Sequence, residues 1–351
     1  MNNILNCCLL SLLFLCGSCS GRSHSDGEAQ DLPTGKVMAA VKCPADPGLS
    51  YAVYLPSSYK DEEKIPVYIA FDSDGKGSYP VTLYSSLAEK YRFILMGSND
   101  SRNGRSMEEL NRIATGMVQE AKTRFGADST HLYLAGFSGG ARVACLIGMY
   151  MQRVTGIIGC GAGLSSAGQP PVYQFRYVAM AGEADPNLSE LILQDEALMG
   201  AGWDHTLMVI PGGHQWPPVE EMEKAILRLR GEFPPLPAPP IPLKDYYEID
   251  KETSLQQEIL RHFDAGDTTW MKKEIASLRY REQHGARKAD SLMAKRLTAF
   301  LGLVSWSKTT NELQQNQLDR AFLSLTIYRM IEPENPAVDS LFKVYQQKRN
   351  P

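Results

Sequence analysis

The chain carries no excess of positive charge. Its 36 lysines and arginines are interspersed with 40 aspartates and glutamates, for a formal net charge of -4. No basic face is left to follow a phosphate backbone, so nucleic acid is not an expected partner. Cysteine is too scarce for a disulfide framework. Of 7 cysteines, Cys7, Cys8, Cys16 and Cys19 fall in the N-terminal segment, leaving Cys43, Cys145 and Cys160. Three is an odd number, compatible with one bridge or with three small buried thiols. The apolar run Ile4 to Leu15 is too short to span a bilayer comfortably but has the length of a signal-peptide core. Histidines and acids show no metal-ligand spacing, and no dinucleotide-type glycine loop is present, so neither a metal nor a cofactor is expected.

What is present is a globular composition, 43% apolar and 22% charged over 351 residues, enough for two domains. The apolar N-terminal run ends in Leu15-Cys16-Gly17-Ser18-Cys19, which resembles a bacterial lipoprotein signal with cleavage before Cys19 and a lipid on its sulfur. Two features depart from that pattern: Met1-Asn2-Asn3 has no lysine or arginine, and Cys16 precedes the lipidated position by three residues. The expectation is an exported, lipid-anchored envelope protein, with plain secretion or a periplasmic location as the alternative. Residues 1–18 then form the signal and 19–35 a polar tether.

From residue 36 the pattern is that of alternating strands and helices. Lys36–Cys43 and Leu49–Leu55 read as two leading strands, and Pro66–Phe71 and Phe93–Met96 as strands buried on both faces. Helical spacing marks Tyr79–Tyr91, Met107–Phe125, Ala141–Met151, Leu188–Leu198 and Val219–Arg230. Strands are expected at His131–Ala135, Val154–Ile158, Tyr177–Ala181 and Thr206–Ile210. Such alternation predicts an α/β domain over 36–232 with a mostly parallel, doubly wound sheet and an antiparallel edge. The proline-rich stretch 233–243 reads as a stiff linker. Residues 244–351 are all-helical, with apolar stripes at Leu255/Ile259/Phe263, Met293/Leu297/Phe300/Leu301 and Leu318/Phe322/Leu325/Met330. The turn Glu332–Pro336 resembles that of a tetratricopeptide-type helical pair. This segment reads either as a bundle packed on the catalytic domain or as a protein-partner module.

The chemistry concentrates at Gly136-Phe137-Ser138-Gly139-Gly140, a G-x-S-x-G turn between strand and helix. Such a turn holds a serine in strained geometry at a strand tip, with glycines where a Cβ would collide with a neighbouring element. Serine needs a base within hydrogen-bond reach, and the base needs a carboxylate to orient it. Asp185 follows the strand Tyr177–Ala181, and His214 follows the strand Thr206–Ile210 in the glycine-rich Pro211-Gly-Gly-His214. Both therefore fall at the carboxyl edge of a parallel sheet, where such sheets expose their sites. Glu183 and Asp204 are lesser carboxylate candidates. His131 and His205 fall at the N-terminal ends of strands, His24 in the tether, and His262 and His284 in the helical region. An oxyanion needs pre-placed N–H donors. Gly139 supplies one, and Ser73 or Asp74, in the glycine-rich loop Asp72–Gly77, is expected to supply another. Trp216 and Tyr173 are candidates for lining a substrate pocket or for simple packing. Arg142 reads as an ion-paired or solvated charge sooner than as a substrate contact.

Ser138, Asp185 and His214 in this order, with the elbow and the early loop, resemble the α/β-hydrolase superfamily over roughly residues 36–231. The pattern is similar to compact lidless secreted enzymes: feruloyl and acetylxylan esterases, polyhydroxybutyrate depolymerases and dienelactone-hydrolase-like proteins. Many of these carry His-Gly in the early loop, where this chain has Asp74-Gly75, with Lys76 as a candidate partner for the carboxylate. The resemblance implies a serine hydrolase of the carboxylesterase type. The short connection between the strands at 154–158 and 177–181 leaves no room for a large lid, which points to a bulky ester such as an acylated polysaccharide. The rival readings are a serine peptidase on the same scaffold and a non-catalytic envelope protein.

Overall fold

The computed structural model describes residues 32–60, 63–127, 130–164, 171–232 and 242–349. The signal segment, Cys19, the tether up to residue 31 and residues 233–241 of the linker lie outside the described residues.

Two leading strands, β1 (Val37–Cys43) and β2 (Asp46–Tyr54), form an antiparallel pair. Six strands follow: β3 (Val67–Phe71), β4 (Ile94–Ser98), β5 (Leu132–Phe137), β6 (Gly156–Cys160), β7 (Arg176–Gly182) and β8 (His205–Ile210). They assemble in the order β1-β2-β4-β3-β5-β6-β7-β8, with β2 antiparallel to β4 and every later pairing parallel. The helices between and after them are α1 (Ser78–Tyr91), α2 (Met107–Phe125), α3 (Gly139–Leu146), α4 (Leu188–Gly200) and α5 (Val219–Arg230). This is the α/β-hydrolase architecture, with the antiparallel edge where the sequence places it. The helix expected over Ala141–Met151 starts earlier, at Gly139, and its last turn, Ile147–Met151, widens to π-helical spacing.

Alternation along each strand divides the core. In β3, Val67, Ile69 and Phe71 pack on one face with residues of α2, α3 and α4, while Tyr68 and Ala70 pack on the other with α1 and α5. A strand buried on both faces must be apolar throughout, which is why these segments read as continuous runs. Helix α2 is bounded by a reciprocal Ser106–Glu109 capping box and by Gly126 in the left-handed region. Cys43, Cys145 and Cys160 are free and buried in separate elements.

Six helices follow among the described residues: α6 (Leu243–Tyr246), α7 (Ile249–Asp264), α8 (Thr268–His284), α9 (Lys288–Gln314), α10 (Leu318–Ile331) and α11 (Pro336–Arg349). The first two expected stripes meet in one core: Ile259 and Phe263 from α7 pack with Met293, Leu297 and Leu301 from α9. The third stripe is corrected. Phe322 is 47% exposed, and α10 instead buries Ala321, Leu325 and Tyr328 against Val338 and Tyr345 of α11. These helices are not hung apart on the linker. Tyr247, Ile249 and Leu292 join the same apolar core as the strands, so the helical segment packs directly on the α/β domain.

Candidate active site

The register of the sheet builds the site. Phe71 of β3 pairs with Gly136, and Phe137 pairs with Cys160 of β6, so the tip of β5 is flanked by the carboxyl ends of both neighbours. Ser138 stands at that tip with φ +52° and ψ -121°, and its N–H donates to Cys160 O at 2.8 Å. An L-residue held there stores about 1–3 kcal/mol of backbone strain. Two glycines allow it. A Cβ on Gly136 would stand 2.2 Å from Gly140 O, and one on Gly140 would stand 1.9 Å from Phe71 O.

The structure brings Ser138, His214 and Asp185 together. His214 Nε2 lies 2.9 Å from Ser138 Oγ, and its Nδ1 lies 3.0 Å from both Asp185 oxygens. Asp185 is 1% exposed, and the loops that carry the pair are tied by Ala184 N–H donating to Gly212 O at 2.9 Å. Asp185 Oδ1 also accepts from Asn187 N–H at 2.8 Å. The Phe137 ring lies 4.7 Å from the imidazole. The lesser carboxylates are engaged elsewhere: Glu183 pairs with Lys288 at 3.0 Å and Asp204 with Arg176 at 2.8 Å. Arg142 makes a two-pronged pair with Glu190, at 2.8 and 2.6 Å, which is the structural reading.

In the early loop, the Asp74 N–H is already given to Asp72 Oδ1 at 2.9 Å. Of the two donor candidates, Ser73 is the one whose N–H stays outside that bond. The Asp74 carboxylate is paired with Lys76 at 3.0 Å, and both side chains are exposed. Asp72 itself is buried and organises the loop, a role its sequence position does not announce. Its Oδ2 accepts from Trp216 Nε1 at 2.8 Å, across 144 residues of chain. Trp216 therefore braces the His214 loop against the Asp72 loop and packs on Tyr84 and Phe137 instead of lining the cavity. Tyr173 is corrected as well. It lies three residues before β7, with its N–H on Met149 O at 3.1 Å, at the edge of the sheet opposite Ser138.

Asn103 is a further residue of the site that the sequence pattern does not single out. Its N–H donates to Ser73 O at 2.8 Å, and a Cβ on Gly139 would stand 1.8 Å from its Oδ1. An Asn-Gly pair announces a turn but not its neighbour across the fold. Gly139→Ala is therefore expected to push Asn103 or the elbow aside. Hydrolysis should fall by roughly 10²-fold or more, the loss that accompanies a displaced oxyanion donor, while the melting temperature falls only modestly; steady-state kinetics beside a thermal melt checks this.

The largest departure from expectation is a wall built by the C-terminal helices. A cavity of about 360 Å³ contains Ser138 and His214 and is lined also by Ala299, Gly302, Leu303 and Trp306 of α9, Tyr328 of α10, and Glu332 and Asn335. The connection between β6 and β7 is short, as expected, and the C-terminal helices line the cleft from another side. Burial and the Glu332 carboxylate raise the Tyr328 hydroxyl to about 12, so it stays a neutral donor. The same helices reach the carboxylate loop. Arg296 of α9 is wholly buried, donates from Nη1 to Glu183 O at 2.8 Å, and pairs with buried Glu252 of α7 through Nε and Nη2 at 2.8 and 2.5 Å. Its guanidinium also lies over the Tyr247 ring. Burial pushes the Glu252 carboxyl up, with Arg296 pulling against it.

The chain is similar to solved esterases. A ferulic acid esterase is 18% identical, with 55% of this chain and 95% of that chain covered at a TM-score of 0.41. An esterase of Pyrobaculum calidifontis is 13% identical, with 58% and 88% covered at 0.44. Esterase LipW of Mycobacterium marinum is 17% identical, with 56% and 81% covered at 0.42. No protein-family model matches the chain, and no curated protein matches it by sequence.

Proposed function

We propose that the chain is a serine hydrolase that cleaves carboxylic esters through an acyl-enzyme. The observation that carries this reading is the hydrogen-bonded relay from Ser138 Oγ through His214 to Asp185 on a strained, glycine-flanked elbow. His214 Nε2 takes the proton as Ser138 Oγ attacks the carbonyl carbon, and Asp185 holds the tautomer and stabilises the imidazolium. The N–H groups of Gly139 and Ser73 receive the oxyanion. The imidazolium then protonates the departing alcohol. A water, activated by the same imidazole, releases the acid and frees Ser138.

A bulky, polymer-attached ester was expected because the site was expected to be uncovered. The C-terminal helices wall one side of the cleft, so such an ester has to lie against them. Release of acid from acetylated or feruloylated glycans would support the bulky-ester reading, and release from short esters alone would remove it. A fluorophosphonate probe tests the reading itself. The wild type should label at Ser138, and Ser138→Ala and His214→Ala should not. A wild type that refuses the probe would sink the enzyme reading, and a steady rate on aryl amides with none on esters would favour a peptidase.

Export with a lipid on Cys19 is part of the proposal, supported by the Leu15–Cys19 pattern. Cys19→Ala is expected to move the protein out of the membrane fraction. Unchanged fractionation would remove the anchor from the proposal.

A further inference from the structure

We propose that the wall contributed by the C-terminal helices is a subsite for a positively charged group of the substrate, an ammonium, held by Glu332 with the rings of Trp306 and Tyr328. The inference rests on the ester-hydrolase reading of Ser138 and adds to it the charge of the substrate.

The residues lining the cavity include two carboxylates, Asp74 and Glu332, and neither lysine nor arginine. Asp74 is neutralised by Lys76. Among the described residues no cation pairs with Glu332, whose carboxylate is bonded instead to the neutral amide of Asn335. Arg279 approaches the end of α10 but is committed to the carbonyls of Met330 and Ile331 and does not line the cavity. Glu332 is thus an uncompensated charge in the wall of the cavity that holds Ser138.

Its position is preset. Asn335 Oδ1 accepts from Ala337 N–H at 2.9 Å, and its Nδ2 reaches Tyr328 Oη at 3.2 Å as well as Glu332. On the facing helix, Gly302 leaves the space the carboxylate uses: a Cβ there would stand 2.7 Å from Glu332 Oε1. Trp306, one turn beyond Gly302 on α9, and Tyr328 line the same cavity. A carboxylate beside aromatic rings in a partly desolvated wall attracts an ammonium through both charge and ring quadrupole. A neutral hydroxyl there only exchanges one hydrogen-bonded partner, water, for another, and an anion is repelled.

The test uses the full chain and two ester series. One shares an acetyl group and varies the alcohol: 2-(trimethylammonio)ethyl, its neutral isostere 3,3-dimethylbutyl, and 3-carboxypropyl. The other consists of phenyl esters of 6-aminohexanoic, hexanoic and adipic acids. In at least one series the cationic ester is expected to exceed the neutral one by about tenfold in kcat/KM, with the anionic ester slowest. Glu332→Gln should bring that ratio close to one, and Glu334→Gln, on the exposed side of the same turn, should leave the ratio as it is. Absence of a cationic preference in both series, or a preference that survives Glu332→Gln, overturns the inference. Fluorophosphonate labelling separates the two layers: a labelled enzyme with no charge preference overturns this inference alone, whereas an unlabelled one removes both.

Discussion

Ser138→Ala is expected to lower kcat on a phenyl ester by roughly 10⁵- to 10⁶-fold. The hydroxyl is the only group on the elbow that can bond covalently to the acyl carbon, and its proton has one acceptor in place, His214 Nε2 at 2.9 Å. His214→Ala should cost about as much as Ser138→Ala. The double variant should cost little more than either alone, because the two groups act as a unit and removing one already idles the other. Asp185→Asn should cost roughly 10⁴-fold, since an amide in place of the carboxylate favours the wrong imidazole tautomer. Initial rates with purified variants, checked for contamination by active-site titration, decide the matter. A Ser138→Ala protein within a hundredfold of wild type would mean that the nucleophile lies elsewhere.

The second large effect is expected far along the chain from the elbow. Arg296→Met leaves the Glu252 carboxylate buried without its cation, a situation that costs about 3–5 kcal/mol. It also removes the donor to Glu183 O, two residues from Asp185. The two losses can be told apart. Replacing Glu252 and Arg296 together by apolar residues of similar volume should recover most of the stability, because a buried ion pair contributes little over good packing. The donor to the Asp185 loop would still be missing, so kcat should stay low with KM nearly unchanged. Thermal melts and kinetics on the two variants read both quantities. A double variant with full stability and full kcat would show that Arg296 is an anchor of the helices and nothing more.

How far the molecule could be read from its residues depended on whether the controlling contact was local. The elbow was legible because the steric demand is carried by near neighbours: Gly136 must clear Gly140, four residues on. Asp185 and His214 were legible because each comes just after a strand end in a parallel sheet, and strand polarity alone puts them on one edge. The same rule, applied to Tyr173, places it on the opposite edge, ahead of β7. Trp216 was ambiguous because the partner of its indole, Asp72, is determined by tertiary packing. The wall from the C-terminal helices was illegible for a related reason. The stripes on α7 and α9 show that a face is buried, but an apolar stripe does not say which surface it meets, and Glu332 is brought to Ser138 only by that docking. Phe322 shows the limit within a single helix: its spacing fits a stripe, yet the buried side of α10 runs through Ala321, Leu325 and Tyr328 instead.

Protein synthesis, running from the N-terminus, delivers Arg296 late. The elbow and the loops of Asp185 and His214 precede residue 215, whereas the brace on the Asp185 loop and the wall beside Ser138 come from α9 and the helices after it. A nascent chain thus completes Ser138, Asp185 and His214 before it has the groups that pack beside them. A chain cut off before α9 would hold Ser138, Asp185 and His214 without Arg296 or the wall of the cleft.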